Sequence, residues 1–174
     1  MSILVAYATA KGSTRDIADR IASRLHSSGT VVDCRSVDSV TSIDQYSTVI
    51  IGSAVHGQKW LPDAIGFLER ERQHLESRPL WVFSVGMGAG LPSWIRERAM
   101  RSEEKKLRAK IETYVKPRDH ALFSGTYTSD EMPACFRIIY SCFGGRFGDL
   151  REWDKIEQWA DRIMQEAKLR AYDV

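Results

Sequence analysis

An apolar run, Ile3-Leu4-Val5-Ala6-Tyr7-Ala8, passes directly into Thr9-Ala10-Lys11-Gly12-Ser13-Thr14 and then into the helical pattern Arg15-Asp16-Ile17-Ala18-Asp19-Arg20-Ile21-Ala22. An unbroken apolar strand suits a parallel sheet buried on both faces, not a strand with one wet side. A strand that turns so quickly into a helix must pack that helix back over the sheet, which points to an α/β layer architecture. The turn is also chemically marked. The first N–H groups of a helix have no intrahelical acceptor and the helix dipole favours negative charge there. Thr9, Ser13 and Thr14 add hydroxyls, so the turn reads as a cradle for a phosphate monoester. An ordinary capped helix start uses the same residue types, so the rest of the chain must decide. Neither G-x-x-x-x-G-K-[ST] nor G-x-G-x-x-G spacing is present, which argues against a triphosphate or a dinucleotide.

The alternation recurs along the chain. Apolar segments at Ile3–Ala8, Val31–Cys34, Val49–Ser53, Leu80–Val85 and Ala121–Ser124 are separated by helical patterns at Arg15–Ser27, Pro62–Leu75 and Ser93–Tyr114, with a shorter connection around Ile43. An irregular apolar stretch, Met132–Phe143, precedes Gly144-Gly145 and a last helix expected from Trp153 to Lys168. This pattern predicts a doubly wound α/β fold, a five-stranded parallel sheet of order 2-1-3-4-5. No Pro-, Gly- or Ser-rich linker interrupts it, so residues 1–174 read as a single domain.

In such a sheet a ligand lies beyond the carboxyl ends of the strands, where the order reverses between strands one and three. Three loops meet there: Thr9, Ala10, Lys11, Gly12, Ser13 and Thr14; Ala54, Val55, His56, Gly57 and Trp60; and Ser84, Val85, Gly86, Met87 and Gly88. Gly57 permits close backbone approach, and Trp60 offers either a stacking face or a core anchor. His56 in its plainest reading faces solvent. No side chain stands out as acid, base or nucleophile, so none is given a catalytic role.

Composition narrows the possibilities further. With 43% hydrophobic and 28% charged residues, a net charge of +2, no signal peptide and no apolar run long enough to span a bilayer, the chain reads as cytoplasmic. Cys34, Cys135 and Cys142 lack metal, haem or disulfide spacing, so reduced, mostly buried thiols and no metal site are expected. The basic excess from Arg96 to Arg118 reads first as a solvated helix face and second as a surface for anionic groups or lipid, without asking for nucleic acid. Met132–Phe143 is too short to cross a membrane. Packing on the sheet edge is its plainest role, with a pocket wall, a peripheral contact at the inner face of the membrane or a homodimer contact left open.

In these residues the chain resembles the flavodoxin family over essentially its whole length. Thr9–Thr14 is similar to the family's T-x-T-G-x-T loop, with Lys11 in place of the middle threonine. Val49–Val55, Phe123-Ser124-Gly125 and Gly148–Ile156 are similar to the branch that includes menaquinone-dependent protoporphyrinogen IX dehydrogenase. The resemblance implies the sheet order that flavodoxin itself typifies. It also implies noncovalent FMN, with its phosphate in the first loop and its ring between the second and third. The implied partners are a redox partner protein or a small apolar or anionic substrate such as a porphyrinogen or quinone. The activity would be that of an FMN oxidoreductase or, alternatively, of an electron-transfer protein.

The departures from the family are informative. Carrier flavodoxins are acidic, whereas this chain carries +2. Gln58 stands where the family's x-Gly-Asp loop has its acid, and a missing unit charge several ångströms from a ring eases reduction to the anion by roughly 1 kcal/mol. The branch's long basic insertion after strand four is replaced by the short Gly88–Ser93, which removes the surface expected to meet porphyrin or quinone.

Overall fold

Strand β1 (Ser2–Ala8) is hydrogen-bonded in parallel to β2 (Val31–Ser36) on one side and β3 (Thr48–His56) on the other, and Ile3, Leu4, Val5 and Ala6 are fully buried. The computed structural model describes residues 2–86, 93–127 and 148–171. β4 (Lys59–Trp60) turns back antiparallel onto the end of β3, while β5 (Leu80–Gly86) and β6 (Asp119–Ser124) complete the parallel order β2-β1-β3-β5-β6. Counting the parallel strands alone, this is the expected 2-1-3-4-5. A separate antiparallel pair joins β7 (Thr126–Tyr127) to β8 (Gly148–Asp149).

Alternation along the strands divides the core in two. Ile3, Val5, Ile50, Trp81 and Phe83 pack on Ile17, Ile21 and Leu25 of α1 (Ser13–His26) and on Ile156, Trp159 and Ile163 of α5 (Trp153–Ala171). Leu4, Val49, Ile51, Leu80 and Val82 belong to the opposite cluster. There they join Phe67 and Leu68 of α2 (Pro62–Arg70), Leu75 of α3 (Arg72–Glu76), and Leu107 and Ile111 of α4 (Ser93–Ile111). The helices form because their apolar residues recur every three to four positions on one stripe. Pro62 opens α2 at a position where a missing N–H costs nothing, and Gly29, at φ +84°, stops the chain from continuing α1.

Several expected boundaries move. The helix expected over Pro62–Leu75 breaks at Glu71, whose buried carboxylate meets Arg70 Nε at 3.0 Å and His74 Nδ1 at 3.3 Å. The connection around Ile43 contains only one 3-10 turn, Val37–Ser39, and Ile43 itself is fully buried. β3 runs three residues past Ser53 because its end pairs with β4, a long-range hydrogen-bond partner that hydrophobic periodicity does not reveal. α4 ends at Ile111, three residues before Tyr114, and its arginines pair at i,i+4 spacing, Arg101 with Glu97 and Arg108 with Glu112. Cys34 is free and half-buried, and burial pushes its thiol up to about 12. Cys135, Cys142 and Met132–Phe143 lie outside the described residues.

One close approach fixes how β3 meets its neighbour. Gly52 pairs with Phe83, and the Phe83 ring occupies the space a side chain at position 52 would need. That ring contacts Phe123 and Trp159, each with centroids 6.0 Å away. Gly52→Ala is therefore expected to force the aromatic cluster apart and destabilise the protein by about 1–3 kcal/mol or more. Urea unfolding of the variant against the parent checks this.

Candidate functional site

The chain leaves β1 and enters α1 through a turn whose backbone is unusual at one residue. Gly12 has φ +93°, and a Cβ there would meet nothing within 4 Å, so the left-handed conformation, not crowding, calls for glycine. Thr9 Oγ1 accepts the Gly12 N–H at 2.9 Å and folds the turn back on itself. Asp16 N donates to Gly12 O at 3.0 Å and begins the helix. The earlier N–H groups of α1 thus lie ahead of its hydrogen-bond ladder, where the dipole favours an anion.

The turn forms one wall of a hollow of about 140 Å³ at the carboxyl ends of β1, β3 and β5. Thr9, Ala10, Lys11, Ser13 and Thr14 line it, facing Ala54, Val55 and His56 of β3 and Val85 and Gly86 of β5. The three expected loops therefore converge. Thr14 Oγ1 is buried and has no hydrogen-bond partner among the described residues. A buried hydroxyl left in that state is costly unless something supplies the missing bond.

Two lining residues were not expected from the sequence. Gly125 and Thr126, just after β6, form part of the wall of the hollow. Thr126 N donates to Ser13 Oγ at 2.8 Å, and the two hydroxyls lie 3.1 Å apart. A Cβ on Gly125 would sit 2.9 Å from Ser13 Oγ and 3.0 Å from Val85, so only glycine allows this approach. The glycine after the fifth strand was the available signal, but nothing local says that it faces a turn so far away in sequence.

Electrostatics at the helix start depend on another distant residue. Asp16, an acid in the first turn of α1, would repel an anion, but Arg151 Nη1 donates to its carboxylate at 2.6 Å. Arg151 also grips Asp149 through Nε at 2.8 Å and Nη2 at 2.6 Å, and lies 4.6 Å from the centre of the Trp153 ring. The bonds from Arg151 hold the Asp149 carboxyl below its usual range. Arg151 divides its one positive charge between Asp16 and Asp149, so the negative charge in the first turn of α1 is offset in part.

Trp60 and Ser84 lie elsewhere, and we leave them out of the cradle. Trp60 is 5% exposed within the α2–α4 face of the core, and its Nε1–H donates to Ser84 Oγ at 2.7 Å. Ser84 Oγ is in turn 2.8 Å from His120 Nε2, so three buried polar groups join β4, β5 and β6. The burial that suits a stacking tryptophan on paper is spent on the core because β4 folds back on β3. Gly57 and Gln58, at φ +57° and +61°, form the two-residue turn between those strands. Lys110 Nζ on α4 donates to Gln58 O at 2.8 Å and holds the turn. Ser53 Oγ accepts the Leu61 N–H at 3.0 Å and fixes the chain leaving β4. Met87 and Gly88 lie outside the described residues.

A parallel sheet of this order, with a hollow at its switch point, defines a doubly wound α/β protein. The chain belongs to the flavodoxin-domain family, which matches residues 4–140. Solved structures agree at the level of the fold. The flavodoxin of Streptococcus pneumoniae TIGR4 superposes with a TM-score of 0.59 at 16% identity, covering 95% of this chain and 99% of that one. A short-chain flavodoxin associated with a non-canonical PDU bacterial microcompartment gives 0.59 at 10% identity, covering 96% and 99%. Rubredoxin oxygen:oxidoreductase from Desulfovibrio gigas gives 0.56 at 14% identity, covering 98% of this chain but 37% of that one. A search among curated proteins returns no match. Among the described residues, no helix is long and apolar enough to cross a membrane.

The buried polar chain beside the hollow has a pH signature. Desolvation pushes His120 down to about 4 from the ordinary 6.5. Between those values the unfolded chain binds more protons than the folded one, so stability is full above about 6.5 and falls as the pH drops toward 4. The expected loss is about 3 kcal/mol. Urea unfolding across this range, compared with His120→Gln, which lacks the titrating ring, checks the contribution.

Proposed function

We propose that the chain is an FMN-binding electron-transfer protein whose hollow receives the phosphate end of the cofactor. FMN is the cofactor that membership of the flavodoxin family implies. The observation that carries the reading is Thr14 Oγ1, a buried hydroxyl without a partner at the start of a helix capped by a left-handed glycine. A phosphate oxygen supplies the acceptor that Thr14 lacks. Lys11, Ser13, Thr14 and Thr126 line the hollow, and the further donors are the free backbone N–H groups at the start of α1 and the one hydroxyl proton that the Ser13–Thr126 pair does not spend on itself.

At about 140 Å³ the hollow is smaller than a complete small-molecule pocket, which spans roughly 300–1,000 Å³, so it fits the ester end and not the whole cofactor. We assign the ring to the space between Ala54, Val55 and His56 at the end of β3 and Val85 and Gly86 at the end of β5. When bound, FMN supplies one- and two-electron redox chemistry, and the protein supplies its position and electrostatic setting. Gln58, in place of an acid, and the Lys110 ammonium on its carbonyl make the turn beside that space neutral to positive. This favours negative charge on a reduced ring and an electron acceptor role with a redox partner protein.

Oxidation of a porphyrinogen or reduction of a quinone is the finer reading suggested by the resemblance to the protoporphyrinogen dehydrogenase branch. It is separated from electron transfer by turnover: consumption of protoporphyrinogen or menaquinone by the FMN-loaded protein supports it, and reduction of a partner protein without such turnover supports the carrier.

Titrating FMN into the purified chain, followed by flavin absorbance and fluorescence quenching, tests the cofactor. Hydrogen bonds to a charged group are worth about 1.5–3 kcal/mol, so Thr14→Val is expected to weaken FMN roughly ten- to a hundredfold with little loss of fold. Unchanged affinity would put the phosphate elsewhere. Spectroelectrochemical titration is expected to give a potential less negative than in acidic carriers, by about 1 kcal/mol per missing unit charge, or roughly 40 mV for one electron.

A further inference from the structure

A second cavity, of about 490 Å³, lies on the α2–α4 face and shares the β3–β4 hairpin with the first hollow. Val55 and His56 of β3 border the hollow, while Lys59 and Trp60, their partners across the hairpin, border this groove. Its walls are apolar: Trp60, Ile65, Leu107, Ile111 and Tyr114. Its volume falls in the range of sites that enclose small organic ligands, and its lining is of the kind such sites have.

Two observations make it more than a gap between helices. Gly66 stands in the middle of α2, where glycine weakens a helix relative to alanine. Neither of the usual reasons for a glycine applies there. Its φ is not positive, and a Cβ would meet nothing within 4 Å. The chain keeps this part of the groove wall bare at a cost to the helix. The second observation is charge. Lys59 and Lys110 border the groove along with Glu69, so its charged side chains sum to one positive charge around an apolar interior.

We propose that the groove between α2 and α4 is a binding site for an amphiphilic monoanion, a molecule with an apolar body and one carboxylate or sulfonate head. The body lies on Ile65 and Tyr114 against the bare backbone at Gly66, with Trp60 and Ile111 packed beneath, and the head meets the ammonium groups of Lys59 and Lys110. This assignment is independent of the flavin reading.

The probes are anilinonaphthalene sulfonate, its uncharged relative N-phenylnaphthylamine, and dodecanoate, used on the full-length chain with and without excess FMN. The sulfonate is expected to bind saturably, one per chain, and to be displaced by dodecanoate but not by FMN. Gly66→Leu, which fills the groove, is expected to weaken it at least tenfold while the melting temperature holds or rises. Gly66→Ala should raise thermal stability and bind within a few-fold of the parent. Lys59→Gln is expected to weaken the sulfonate severalfold and leave the uncharged relative unaffected. Unsaturable binding, displacement by FMN, or affinity unchanged in Gly66→Leu would overturn the site. Equal loss of charged and uncharged probes in the lysine variant would overturn the anionic head.

Discussion

The burial of β1 on both faces is the constraint from which the rest of the structure follows. Leu4 and Ala6 project to one side of the sheet and Ile3 and Val5 to the other, so neither face can be left to water. Helices must cover both sides, and the chain must cross from one face to the other. That crossing happens between β1 and β3, where α1 goes to one face and α2 to the other. The crevice opened there is where the carboxyl ends of three strands and a helix N-terminus meet. The hollow is thus a by-product of covering a two-faced sheet.

The parallel order could be read from the chain because each strand advertises itself locally. Runs such as Val49–Ile51 and Leu80–Val85 need no partner information to be recognised, and the turn chemistry at Gly12 is equally local. What was not legible has a common cause. β4 and β7 are two residues long, too short for periodicity, and exist only because β3 and β8 lie beside them. The position of Trp60 follows from β4: once the chain doubles back at Gly57-Gln58, the indole points into the core and finds Ser84. Gly125, Thr126 and Arg151 were missed as parts of the cradle for the same reason, since each acts on a turn more than a hundred residues earlier.

The two faces of the core treat polar groups differently. On the α1–α5 side, Asp119 takes the Trp159 Nε1–H at 2.8 Å, and the arginines of α1 meet acids of α5, Arg20 with Glu157 at 3.0 Å and Arg24 with Asp161 at 2.7 Å. These exposed pairs set register more than they add stability. On the α2–α4 side the polar groups lie inside, as the Trp60–Ser84–His120 chain, whose far end, His120 Nδ1, is buried without a partner among the described residues. The hairpin that closes the hollow is therefore anchored from beneath by hydrogen bonds and from outside by the Lys110 ammonium.

The contacts that finish the anion cradle span the chain almost end to end: Thr126 reaches Ser13, and Arg151 reaches Asp16. During synthesis the N-terminal turn emerges first, yet the residues that bond Ser13 and Asp16 are encoded far downstream. A ribosome-bound chain holding only the first three parallel strands would own the loop but not its contacts with Thr126 and Arg151. The finished turn is consequently among the last features the polypeptide acquires, and it reports that the whole sheet has closed.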